Sequence, residues 1–236
     1  MNAISLNPIQ LIKSAFLLLA VVAFASCQKE INPLEEDGNP SGGGGTDNPA
    51  TGSYMPHSKG SYWTYQDSAD TDLEYRIMAT DQKKTLNGIT YYLYEDLDSP
   101  DGNVYYGQQG NDYYLLIEQE TIGTESDLHL LYLKGDANVG ASWIKEVGAI
   151  NGIPARISGS IVAKGFEHNW TGILFKDIVQ SKVELQYNLL GTWMTLATYH
   201  FYNVKGIGMV KLESTIGALG VDIESIAMYL VDWDVK

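Results

Sequence analysis

Leu73, Tyr75, Ile77 and Ala79 alternate with Glu74, Arg76 and Met78, and Val183, Leu185 and Tyr187 alternate with Lys182, Glu184 and Gln186. A period of two puts successive side chains on opposite faces of a strand, so both segments predict β structure. Turn signals separate such runs: Asn87-Gly88, Ser99-Pro100-Asp101-Gly102, Gly110-Asn111-Asp112 and Asn151-Gly152. Asn-Gly and Asp-Gly pairs tolerate the positive φ that tight hairpins require. No long segment beyond the first thirty residues follows a helical period. The pattern predicts an all-β domain of about ten to twelve antiparallel strands, as a sandwich or a partly open barrel. The stretch Gly135-Asp136-Ala137-Asn138-Val139-Gly140 is a candidate crossing between two lobes.

Other runs are apolar at consecutive positions: Tyr91-Tyr92-Leu93-Tyr94, Tyr113-Tyr114-Leu115-Leu116-Ile117 and Ile226-Ala227-Met228-Tyr229-Leu230-Val231. A strand with one face in water needs only one apolar face. Here the second face must be covered, either by another layer or by lining a cavity for an apolar ligand. The layer is the commoner use. Two short echoes, Gly60-Ser61-Tyr62-Trp63 with Gly140-Ala141-Ser142-Trp143 and Asn87-Gly88-Ile89 with Asn151-Gly152-Ile153, stand at unequal intervals and give a true repeat weak support.

The start of the chain reads as an address. The apolar run from Ala15 to Phe24 is too short for a bilayer span of about 20 residues and suits a secretory signal. It ends in Phe24-Ala25-Ser26-Cys27, which resembles a bacterial lipobox, and Cys27 is the chain's one cysteine. The resemblance implies that residues 1–26 are removed and that Cys27 is acylated, holding the protein to a lipid bilayer. An ordinary signal with a coincidental Cys, or a buried N-terminal helix, is the alternative. Residues 28–52, with Pro33, Pro40, Pro49 and the run Gly42-Gly43-Gly44-Gly45, have the composition of a flexible linker after the lipidated Cys27. Residues 53–236 are left as a single all-β domain of ordinary size.

Charge narrows the partners. The chain has 15 Lys+Arg against 29 Asp+Glu, a net charge of -14, which disfavours nucleic acid. Loss of Lys13 with the signal makes the balance more negative, so an anionic lipid surface repels the domain. Glu30 and the trio Glu35-Glu36-Asp37 resemble surface-export signals of Bacteroidota-type lipoproteins. The expected location is the outer membrane, on its periplasmic or cell-surface face.

The segment from Tyr54 to Tyr65 holds Pro56, Gly60, Trp63 and Tyr65 in the pattern Pro-x3-Gly-x2-Trp-x-Tyr. This resembles the opening of a set of uncharacterised Bacteroidota lipoproteins. The later Gly206-Ile207-Gly208-Met209-Val210 looks like the same group's Gly-x-Gly-x-Val element, and Val139-Gly140-Ala141-Ser142-Trp143 fits its midpoint. The resemblance implies a secreted, anchored β domain and no particular activity. Physically, Gly60, Gly206 and Gly208 suit positive φ or close approach, while Trp63 and Tyr65 would bury large rings on one strand face.

Candidate chemistry is sparse. His57, His129, His168 and His200 show no metal-ligand spacing, and His129 and His200 read as packed or surface imidazoles within strands. No Gly-x-Ser-x-Gly elbow and no phosphate loop occurs, so no cofactor and no catalytic residue is assigned. Asp96-Leu97-Asp98-Ser99-Pro100-Asp101-Gly102-Asn103 is the best calcium candidate, but it is too long for the Asp-x-Asp-x-Asp-Gly loop and reads as an acidic hairpin turn. Asp70/Asp72 and Asp232/Asp234 are nominal carboxylate pairs for glycoside hydrolysis. Asp67-Ser68-Ala69 resembles an O-glycosylation acceptor of Bacteroidota. Trp170 and Trp193, flanked by polar or small turn residues, are the expected accessible aromatics for ligand binding. The leading expectation is a membrane-anchored lipoprotein whose non-enzymatic β domain binds a glycan or an apolar ligand. The alternative is a structural or assembly lipoprotein of an envelope complex with no small-molecule ligand, and a glycoside hydrolase comes third. A filled interior favours assembly, an aromatic groove favours binding, and a deep pocket with convergent carboxylates favours catalysis.

Overall fold

The computed structural model describes residues 52–98, 103–118, 127–150, 152–218 and 221–236. Cys27, its linker and the Ser99-to-Gly102 turn lie outside them. Twelve strands are present: β1 (Tyr62–Asp67), β2 (Glu74–Leu86), β3 (Ile89–Asp96), β4 (Val104–Gln109), β5 (Asp112–Ile117), β6 (Leu128–Lys134), β7 (Ser142–Ile150), β8 (Ile153–Trp170), β9 (Ile173–Leu189), β10 (Thr192–Val204), β11 (Gly208–Ala218) and β12 (Val221–Asp234). No helix occurs among the described residues. The all-β expectation holds. Asn87 (φ 52°) and Gly88 (φ 77°) make the expected tight hairpin between β2 and β3. Leu73 departs from its pattern: it precedes β2 and is 51% exposed, so the buried face of that strand begins further in, at Ile77 and Ala79.

The strands form one antiparallel sheet in the order β6-β5-β4-β3-β2-β1-β12-β11-β10-β9-β8-β7. The first and last strands pair in its middle, Trp63 opposite Trp233. The sheet's two edges therefore fall at β6 and β7, and residues 135–140 cross from one edge to the other. The glycine-rich midpoint is not a boundary between lobes. It is the seam of one nearly closed barrel-shaped sheet.

The seam closes by overlap. Tyr91, Gly107, Tyr114 and Leu131 stand opposite one another across β3, β4, β5 and β6 and so share one sheet face. Tyr94, Tyr106 and Tyr132 occupy the other face, toward the barrel centre. On the far side of the seam, Trp143, Gly159 and Val183 share a face across β7, β8 and β9. That inward face lies over the outward face of β6: Trp143 Nε1 donates to the Leu131 carbonyl (3.2 Å) and Ser181 Oγ to the Tyr132 carbonyl (2.6 Å). Tyr132 is the extra residue of a bulge, since Tyr113 pairs with Leu133 and Tyr114 with Leu131. For Tyr113–Ile117 and β6 the second layer is the opposite edge of the same sheet, whereas the Ile226–Val231 run of β12 lies in the middle of the sheet, away from this overlap, with Ala227, Tyr229 and Val231 half-buried. Burying otherwise unpaired carbonyls would cost about 1–3 kcal/mol each, which these two side-chain donors offset.

Trp143 fits because its partner across the ladder has no side chain. A Cβ on Gly159 would stand 2.1 Å from the indole Cε2. Gly107 does the same for Tyr91, where a Cβ would meet Cε1 at 2.4 Å. Large rings lying over cross-strand glycines let the two layers approach.

The β8–β9 hairpin, with strands of 18 and 17 residues, runs past the end of β10. Bulges beside Ala163, Phe166 and His168, with positive φ at Gly165 (72°) and Asp177 (53°), bend its tip. Trp170 then reaches Tyr202, and Phe175 reaches Trp233. Lys164 Nζ donates to the carbonyls of Gly135 and Ala137 (3.1 and 3.0 Å), pinning the crossover.

Gly159→Ala should push the Trp143 ring off the seam and lower stability by about 1–3 kcal/mol. Urea denaturation measures this, and an unchanged midpoint would show that the ring is not held against that glycine.

Candidate functional site

The barrel centre is filled by aromatic rings. Trp63, Tyr65, Tyr94, Tyr106 and Tyr132 surround a void of about 20 Å³, roughly the room of one water. Tyr54 and Met55, from the segment before β1, close it from one end. Their segment is held by the Gly206 N–H to the Ser53 carbonyl (2.9 Å), by Tyr94 Oη to the Pro56 carbonyl (2.7 Å) and by His57 stacked on Tyr92 at 3.8 Å. Trp63 Nε1 donates to Ile207 O (2.6 Å) and Tyr65 Oη to Met209 O (3.0 Å), so these large rings bury without losing their polar atoms. Burial pushes the phenols of Tyr65, Tyr94 and Tyr132 well above their ordinary range. Two buried polar groups, Tyr199 Oη and the Asn203 amide, have no partner among the described residues.

The two expected binding tryptophans are not brought together. Trp170 is 8% exposed, a correction to the accessible ring its flanking residues suggested. The bent hairpin folds it inward, where it is one wall of a cage around Lys211. The Lys211 ammonium lies 5.0, 5.0 and 4.9 Å from the ring centres of Trp170, Tyr202 and Tyr229. Glu213 Oε1 completes the cage at 2.6 Å, and Tyr202 Oη donates to Glu213 Oε2 (2.7 Å). Burial acts to raise the Glu213 carboxyl, but the Lys211 and Tyr202 hydrogen bonds win and hold it below its usual range. Trp193, at the start of β10, is half-buried and carries the Arg156 guanidinium 4.2 Å from its ring centre. Each ring therefore already faces a cation of its own chain.

The other candidates are also in structural use. Among the described residues no group of three or more His, Cys, Asp or Glu is placed to hold a metal. Asp96 is buried, and its Oδ1 accepts the Asp98 N–H (2.8 Å) in a turn. Asp70 Oδ1 accepts the Asp72 N–H (3.1 Å), Asp67 Oδ1 accepts the Ala69 N–H (2.6 Å), Asp232 pairs with Arg76 (3.5 Å), and Asp234 pairs with Lys236.

A cleft of about 520 Å³ opens where the two layers part. Its floor comes from the outward face of the first layer, with Leu86, Ile89, Gln109 and Tyr114. Its wall is the stretch 145–148 of β7. His129 sits between them. Asn87 Nδ2 lies 3.1 Å from its Nε2 and Tyr91 Oη 2.7 Å from its Nδ1. Asn87 and Tyr91 thus occupy both ring nitrogens of His129. Burial, then the Lys145 charge, lowers the His129 pKa against the opposing pull of Asp127. Burial also lowers the Lys145 pKa, with Asp112 opposing. Lys145 reaches over Tyr114, 5.0 Å from the ring centre, and makes no ion pair among the described residues. The alternation along the chain does not mark this cleft. The one available signal was that Lys145 follows Trp143 by two and so shares its face.

His129 and His200 both titrate below their ordinary value through burial. The unfolded chain therefore binds protons that the folded chain refuses, and stability should be lost as the pH falls below 6.5. Urea midpoints at neutral and mildly acidic pH measure this, and His129→Gln with His200→Gln should flatten the slope. Lys211→Met should cost about 1–2 kcal/mol, because it removes the cation from three rings and one donor from Glu213, a carboxylate that is 37% exposed and keeps its Tyr202 hydrogen bond. Adding Glu213→Gln should recover part of that loss in a thermal-melting double-mutant cycle, whereas simple additivity would deny the pair its role.

No protein-family model matches this sequence, and no curated protein does. Three solved structures are similar. A candidate lipoprotein from Parabacteroides distasonis has a TM-score of 0.44 at 14% identity, covering 79% of this chain and 100% of its own. A candidate exported protein with YmcC-like fold from Bacteroides fragilis has a TM-score of 0.44 at 13% identity, covering 78% and 100%. The hypothetical lipoprotein YmcC from Escherichia coli has a TM-score of 0.36 at 12% identity, covering 73% and 83%. All three are described as lipoproteins or as exported.

Proposed function

We propose that this chain is an envelope lipoprotein, anchored in the outer membrane through acyl chains on Cys27, whose non-enzymatic β domain serves in assembly with a protein partner. The observation that carries this reading is the filled barrel centre, with its void of about 20 Å³ where an apolar-ligand carrier would keep a cavity of several hundred. The covered Trp170 and Trp193 support it further, because a sugar platform presents its rings to solvent. With the hydrophobic interior spent on the fold, recognition falls to the surface.

A second reading has one specific observation behind it. The cleft combines amides (Asn87, Gln109), carboxylates (Asp127, Glu146), an amine (Lys145) and a phenol ring (Tyr114), the groups that hydrogen-bond and stack on a neutral glycan.

Cross-linking in intact cells followed by purification should recover one defined protein partner from the membrane fraction, and Cys27→Ala should release both from that fraction. Recovery of this chain alone would end the assembly reading. A glycan array binding the wild type but not a Lys145→Ala variant would move the assignment to the cleft.

A further inference from the structure

The β8–β9 hairpin outruns its neighbours. β7 pairs with β8 as far as Ser160, and β10 pairs with β9 as far as Val179. Beyond these points, from residue 166 to residue 178, the two strands pair only with each other among the described residues, as an arm with no strand on either side. A two-stranded ribbon alone is marginally stable in water. The ladder is also broken at the arm's base. Its register shifts three times between Ile161 and His168, and Gly165 (φ 72°) and Asp177 (φ 53°) take left-handed backbone at nearly the same level of the two strands. Asp177 is the costlier, because a Cβ crowds the backbone in that region. Breaks on both strands at one level make a hinge line.

Side chains, not backbone, dock this arm. Among the described residues no backbone hydrogen bond joins residues 166–176 to the rest of the molecule. Trp170 packs edge-on against Tyr202 with 5.2 Å between ring centres, and Phe175 packs against Trp233 at 5.6 Å. The residues around them, Glu167, His168, Asn169, Thr171, Gly172 and Leu174, are exposed, so the docking rests chiefly on those two rings. Tyr202, Lys211 and Tyr229 stand opposite one another on β10, β11 and β12 and share the face that Trp170 covers. A lysine on such a face ordinarily keeps its ammonium in water. Here the arm leaves the Lys211 side chain 9% exposed, and its indole rests on that charge.

We propose that this arm is a lid that swings as a unit about the breaks at 163–168 and 177. Closed, Trp170 caps the Lys211–Glu213 pair. Open, the pair and the rings of Tyr202 and Tyr229 return to water as a charged, aromatic ledge on the outer face of β10, β11 and β12. Few contacts are lost on lifting, so the opening is a local event well below the cost of unfolding the barrel. The lid needs no partner to move, and it stands whether or not the assembly reading does.

Lys211 reports the state of the lid. Short pulses of an amine-acetylating ester on the whole chain, read residue by residue by mass spectrometry, measure how often its ammonium meets solvent. Exposed Lys83 supplies the rate of an uncovered lysine. Lys211 should react about tenfold more slowly than Lys83, and low urea should barely change its rate, because lifting the lid exposes little surface. Phe175→Leu removes the ring contact to Trp233, leaves the three rings around Lys211 in place, and should speed the reaction about fivefold. Gly107→Ala crowds Tyr91, lowers global stability away from the arm, and should leave Lys211 labelling unchanged. A Lys211 rate that climbs with urea as steeply as global unfolding would overturn the lid, and this reading needs no variant to fold. So would equal rates at Lys211 and Lys83, no response to Phe175→Leu, or equal acceleration by Gly107→Ala.

Discussion

A sheet that rolls toward closure without joining its edges must find partners for two rows of backbone groups, and in this protein that constraint shapes everything near the seam. Edge groups buried without partners would cost more than a typical packing contact returns. Among the described residues the cover is seen at the β6 edge. β6 is drawn beneath β8 and β9, and the carbonyls beside its Tyr132 bulge receive an indole N–H and a serine hydroxyl. The overlap gives β5 and β6 two buried faces, which is why Tyr113-Tyr114-Leu115-Leu116-Ile117 is apolar almost throughout. It also creates the cleft, because two layers that overlap at Trp143 separate again before Gly148.

The tyrosines belong to the same solution. A barrel centre of this width needs large side chains, and a phenol fills space while carrying its polar atom to a nearby carbonyl. Tyr65 and Tyr94 do this to Met209 and Pro56. Among the described residues these rings leave a void of about 20 Å³ at the barrel centre. Outside, the Lys211 cage ties the bent hairpin to β10, β11 and β12. An ammonium among three rings and one carboxylate is a cation–π arrangement that needs no external ligand.

Much of the fold was legible in the sequence. The alternation over Val183, Leu185 and Tyr187, the Asn87-Gly88 hairpin and the positive φ of Gly60, Gly206 and Gly208 all follow from local rules, and the structure contains them. Trp170 and the cleft were not legible, for one shared reason. Whether Trp170 meets water depends on bulges that fold its hairpin back onto β10 and β11, and the cleft depends on residues from β3, β5, β6 and β7 meeting across the seam. Flanking residues report a turn. They do not report what the turn folds against.

Strand content, tight turns, the two-faced apolar segments and the need to cover their second face are written locally, because side-chain alternation and backbone torsions are properties of a few adjacent residues. Which layer supplies the cover and how the β6 edge is capped emerge from the folded chain alone. Those outcomes are set by packing between segments far apart in the chain, where a missing Cβ at Gly159 or an extra residue at Tyr132 selects how one layer slides over the other.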